Sequence, residues 1–212
     1  MEQYKRILLK EFDSKQKVIT ELINLEAILN LPKGTELYLS DIHGEFEAFD
    51  YILRTCAGNL NEKINDCFGE DLSKAEKDKL TLLIAYPQEV LSDGFLYPLK
   101  DKRWYGEIIQ NLLTLLAFVA AKYTRSKVRK ALPPQYAYVI EELLYTDRNL
   151  PDSNIYFETI QNYLIDLGEA SQFISALAKV IRQLIIDHLH IVGDIFDRGA
   201  AADKVMNEIM AY

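Results

Sequence analysis

Two short segments carry side chains suited to chemistry: Asp41-Ile42-His43-Gly44 and Gly193-Asp194-Ile195-Phe196-Asp197-Arg198-Gly199. Carboxylate oxygens beside an imidazole suit Mn²⁺, Fe or Zn²⁺. An extended Asp-x-His backbone sends residues i and i+2 to one side, so Asp41 and His43 are expected to reach one ion. Asp194 supplies a carboxylate that can bridge two ions. Arg198 presents a planar fork matched to phosphate oxygens. Gly44 and Gly193 leave room for close backbone approach, or for a positive φ angle. Each segment also has a bland reading. Asp-x-His-Gly alone is an ordinary turn, and Gly-Asp-x-x-Asp-Arg-Gly alone can be a turn with an N-cap Asp before a helix. Their occurrence together, each after a β-prone run, favours the metal-binding reading, because open α/β sheets place sites at strand carboxyl ends.

The elements that must position these segments follow from periodicity. Ser14 to Leu29 has one helical face at Val18, Leu22, Leu25, Ile28 and Leu29, stopped by Pro32 and Gly34. Glu36 to Ser40 is a short strand, and Phe46, Phe49, Ile52 and Leu53 form a helical stripe after Gly44. Ser73 and Glu76 make a capping box before another helix, which Pro87 breaks or ends. Ser92-Asp93-Gly94 marks a turn. Residues 101–130 read as one long helix with Ile108, Ile109, Leu112, Leu115, Leu116 and Val119 inward. Its last turns would carry Lys122, Arg125, Lys127, Arg129 and Lys130, where positive charge is favoured. Pro133-Pro134 is expected to begin a helix to Leu144, Ser153 one ended by Gly168, and Ser171 one to Ile186. A second strand, Leu189 to Val192, leads into the Gly-Asp segment, and Asp203 to Met210 is helical. His188 and His190 share one face of that strand and are expected as a buried, hydrogen-bonded pair, not as ligands.

The organisation is therefore a β-loop-α part over residues 1–58, an all-helical insertion over 59–186, and a second β-loop-α part over 187–212. A lone strand at each end cannot form a sheet unless the two meet. The 212 residues are 49% hydrophobic and 26% charged, as in a globular protein with a core. A formal net charge of −8 gives no global attraction for nucleic acid or an anionic membrane. The apolar stretch from Leu112 to Ala121 is far short of the roughly 20 residues that span a bilayer. No signal-peptide pattern opens the sequence at Met1. Cys56 and Cys67 stand alone, which favours reduced thiols and a cytoplasmic location.

In that order the two segments resemble the first two motifs of calcineurin-like metallophosphoesterases. Asp41 and Asp194 are 194 − 41 = 153 positions apart. Such a helical insertion, with the residues Leu22 to Lys33 and Asp187 to Asp194, is similar to class III fructose-1,6-bisphosphatases. The resemblance covers essentially the whole chain. It implies an α/β metallophosphoesterase fold of four layers, incomplete here, and hydrolysis of D-fructose 1,6-bisphosphate to D-fructose 6-phosphate. It makes Asp41 and His43 ligands of one metal and Asp194 a bridging ligand. Asp197 orients the site, Arg198 contacts phosphate, and two Mn²⁺ ions activate the attacking water. The family continues with a Gly-Asn-His motif and further His ligands, and none follows Gly199, so the chain is expected to be an inactive amino-terminal part. Unpaired strand edges lead to an expectation of homo-oligomers. Another phosphoester substrate, a phosphoprotein or a dinucleoside polyphosphate, and a non-catalytic helical interaction module are the alternatives.

Overall fold

The computed structural model describes residues 2–92, 96–97, 99–147 and 149–211. The turn expected at Asp93-Gly94 lies outside them. Two amino-terminal helices, α1 (Glu2–Glu11) and α2 (Lys15–Leu29), come first. Ser14 caps α2 by accepting the Lys17 N–H. The sequence reading did not anticipate α1, and α2 buries none of its residues. Next come β1 (Glu36–Ser40) and α3 (Phe46–Arg54).

The helical block contains α4 (Asn59–Phe68), α5 (Lys74–Ala85), α6 (Pro87–Ser92), α7 (Lys102–Ala120), α8 (Arg125–Ala131), α9 (Ala137–Tyr145), α10 (Pro151–Asp166) and α11 (Ala170–Ile185). The chain then returns through β2 (His188–Val192) to α12 (Ala202–Ala211). The capping box at Ser73 and Glu76 forms as expected. So does the inward face of α7, where Ile109, Leu112, Leu115 and Leu116 are fully buried against α11.

The single helix expected over residues 101–130 is two. α7 ends at Ala120, and the Thr124 hydroxyl accepts the Lys127 N–H to start α8. A capping hydroxyl satisfies an otherwise orphaned donor and so favours a new helix start over continuation. The basic residues therefore do not line the last turns of the long helix. Lys122 sits in the connection, and Arg125 and Lys127 lie in the first turn of α8. Pro133-Pro134 also fails to start a helix. A residue before proline is pushed out of the α region, and the segment instead turns, with the Tyr136 N–H donating to the Pro133 carbonyl at 3.0 Å.

β1 and β2 meet in parallel, Glu36 opposite His188 and Ser40 opposite Val192. Leu39, Leu189 and Ile191 face a small core of Ile42, Phe49, Leu53 and Val205, beneath α3 and α12. The helical block has its own core, from Cys56 to Ile186. The other sheet face is open. Tyr38 is 63% exposed and stacks on His190 at 4.4 Å between ring centroids. The expected buried histidine pair is therefore corrected: His188 is exposed, and its ring lies 6.3 Å from that of His190. Same-face placement by strand alternation holds, but nothing among the described residues covers that face.

Asp187, just before β2, ties the sheet to the helical block. Its side chain is 2% exposed and pairs with Lys127, with Lys122 at 3.7 Å. Burial raises its carboxyl pKa, but the hydrogen bonds from Lys127 and Tyr123 and both lysine charges outweigh that and leave it below the usual range.

Candidate metal centre

Parallel pairing brings the carboxyl ends of β1 and β2 side by side, and the ladder continues into both loops. The Asp41 N–H donates to the Val192 carbonyl at 3.3 Å, His43 N–H to Asp194 at 2.9 Å and Gly44 N–H to Ile195 at 2.8 Å. Residues 153 positions apart in sequence thus share one hydrogen-bonded frame. The Gly199 N–H closes it by donating to the His43 carbonyl at 2.6 Å.

The backbone of Asp-x-His is not extended. Asp41 and His43 have φ of 52° and 51°, in the left-handed region that non-glycine residues rarely adopt. The reason is visible between them: Ile42 turns into the small core and is 8% exposed. Anchoring Ile42 inward leaves Asp41 and His43 to project outward from a tight turn. The expected common direction is reached by that turn and not by strand alternation. Gly199 was not anticipated as a site residue. A Cβ there would collide with the His43 carbonyl and Gly44, so the two loops can touch only if this residue is glycine. Its sequence signal was the closing glycine of the second segment.

One ligand atom each from Asp41, His43 and Asp194 lies within 4.8 Å of the others. Donors sharing a tetrahedral ion at about 2.1 Å lie about 3.4 Å apart, a spacing that small side-chain rotations of these three groups would reach. Asp197 joins through His43: its Oδ1 lies 2.8 Å from His43 Nδ1. That hydrogen bond, above all, holds the Asp197 carboxyl below its usual pKa, against a smaller opposing effect of desolvation. A proton on Nδ1 shared with Asp197 would leave Nε2 as the ring's ligand atom. Arg198 places Nε 3.3 Å from Asp197 Oδ2 and is otherwise turned to solvent. All five singled-out side chains are thus gathered at one place. Two carboxylates and an imidazole held from behind by a third carboxylate form a donor set that fits a divalent cation.

The remaining titratable candidates lie elsewhere. Cys56 and Cys67 are unpaired, and burial pushes their thiols up to about 12 and about 11. Neither is available as a thiolate. No helix among the described residues is long and apolar enough to cross a membrane.

Comparison with known proteins adds an independent finding. The family model described as Firmicute fructose-1,6-bisphosphatase matches residues 3–212. A fructose-1,6-bisphosphatase class 3 of Streptococcus gordonii is 66% identical over 212 residues, covering 100% of this chain and 33% of that protein. Its counterparts from Listeria monocytogenes and Staphylococcus aureus are 49% and 46% identical, over 99% of this chain and 32% and 33% of their own lengths. The chain spans about a third of the length of the curated relatives it matches. No solved structure matches it.

Proposed function

The chain belongs to the Firmicute fructose-1,6-bisphosphatase family, and from that premise we propose that it builds part of a two-metal site that hydrolyses D-fructose 1,6-bisphosphate to D-fructose 6-phosphate and phosphate. The observation that carries this reading is the convergence of Asp41, His43 and Asp194 at the ends of two paired strands. Residues 1–58 and 187–212 would then form the metal-bearing part of a metallophosphoesterase layer, and residues 59–186 an insertion. The two separate cores support that division.

Asp41 and His43 would hold one cation, and Asp194 would share its carboxylate between two. When bound, the divalent cations, for which we propose Mn²⁺, lower the pKa of water and offset the charge of the phosphoryl oxygens. Asp197 would hold the proton on His43 Nδ1 and leave Nε2 as the ligand atom. The free edge of the Arg198 guanidinium is placed to receive phosphate oxygens. Local cations would thus solve the problem of drawing an anionic substrate to a chain of net charge −8. That same charge gives no reason to propose a nucleic-acid or membrane partner. The free cysteines, Cys56 buried and Cys67 half-buried, support a cytoplasmic site of action. Self-association is proposed from the open edges of the two-stranded sheet and the uncovered apolar side chains of α2.

Mn²⁺ titration followed by paramagnetic water relaxation tests the site. Asp41→Asn, His43→Ala and Asp194→Asn should each weaken binding at least tenfold, and in the gene's whole product each should abolish phosphate release from fructose 1,6-bisphosphate. Unchanged affinity in all three would overturn the assignment.

A further inference from the structure

A cleft of about 760 Å³, with none of the metal-cluster residues in its lining, opens where the end of α3 meets α6, α11 and the turn before α9. Its charged lining is Arg54, Lys179 and Arg182 against Glu89 alone, a local excess of positive charge on a chain whose net charge is −8. Serine hydroxyls at Ser171 and Ser175 add polar lining.

Arg182 carries the argument. Its Nη1 donates to the Ile84 and Ala85 carbonyls, at 3.2 and 2.8 Å. Its Nε and Nη2 edge makes no hydrogen bond, and the guanidinium forms no ion pair, among the described residues. The carboxyl end of α5 offsets only about half a charge. Arg54 donates to the same Ala85 carbonyl at 3.2 Å, so two guanidinium groups converge on one oxygen. Asp50 neutralises Arg54 at 2.7 Å, whereas Glu89 stands 4.0 Å from Arg54 and is largely exposed. Asp50 and Glu208 line an adjoining, smaller cleft, which Arg54, Lys179 and Arg182 also border. Lys179 has no ion-pair partner among the described residues. Arg182 is part-buried and ion-paired to none of the described residues, and burial together with Arg54 pulls its pKa down against smaller opposing effects of Asp50 and Glu208.

We propose that this cleft binds a small phosphorylated anion, held on the free edge of Arg182 and by Lys179. A planar N–H edge matches two phosphate oxygens, and the volume falls in the range of small-molecule sites. Because Arg54 ends α3, whose other end follows the Asp41–Gly44 loop, an anion here would tie the helical block to the element that positions the metal cluster. About 13 Å of helix separates the two ends.

The test titrates inorganic pyrophosphate into the whole chain by calorimetry, in chelator and at low salt so that no metal contributes. Saturable binding of one pyrophosphate per chain is expected. Lys179→Gln should weaken it about tenfold, and Arg54→Gln, which lets Asp50 turn to Arg182, by at least as much. The remote Lys102→Gln should leave it unchanged. Because Lys179 is exposed, its variant is expected to fold. Absence of saturable binding, equal affinity in Lys179→Gln, or equal weakening by Lys102→Gln would overturn the proposal. Succinate binding as tightly as pyrophosphate would overturn the choice of phosphate.

Discussion

Three non-glycine residues of the candidate metal centre, Asp41, His43 and Arg198, hold φ angles of 52°, 51° and 69°. Each such conformation costs about 1–3 kcal/mol and persists only where neighbours over-determine it. Here those neighbours are the inter-loop hydrogen bonds and the buried Ile42. The contact between Gly199 and His43 is the most sensitive of them. Gly199→Ala should lower stability by about 1–3 kcal/mol, read as a drop in thermal midpoint, although nothing in the helical core changes. An unchanged midpoint would show that the loops do not need to touch. Asp197→Asn is the complementary experiment. The side chain is exposed, so folding should be spared, but losing the charge behind His43 should weaken Mn²⁺ binding about 10–100-fold. Calorimetry would read this directly, and an unaltered affinity would remove Asp197 from the site.

Helices that look alike in sequence are used differently by the fold. The leucines of α7 and of α2 both follow helical spacing, yet Leu112 is fully buried while Leu22 is 60% exposed. Leu112→Ala should cost about 2–5 kcal/mol, and Leu22→Ala at most about 0.5 kcal/mol. Chemical denaturation of the two variants distinguishes the roles, and equal costs would mean that α2 is packed in solution. The break between α7 and α8 makes a finer prediction. Thr124→Ala removes the cap and should cost about 1 kcal/mol; a neutral result would favour one continuous helix.

For the whole molecule, the decisive contacts join the sheet to the helical block through Asp187. Its folded-state pKa is depressed, so its contribution is fully present above the unfolded value of about 3.9 and is lost as pH falls through the lower folded value. Acid titration of stability should therefore fall more steeply below about pH 4 in the native protein than in Asp187→Asn; identical acid limbs would contradict this. Open strand edges and the bare face of α2 predict a mass above the monomer by light scattering, and a strict monomer at high concentration would dismiss it. The strands, most helices, the capping box and the two polar segments that cluster were readable from the chain, because hydrophobic period, cap chemistry and motif spacing are local properties. The break at Thr124, the exposure of His188, and the positive φ angles of Asp41 and His43 were not. Each depends on what lies opposite: a hydroxyl competing for a helix start, a sheet face that nothing covers, an isoleucine drawn into a core assembled from both ends of the chain. Sequence alone identified which groups could bind a metal. Only the parallel pairing of two strands, separated by a helical block, decided that they share one place.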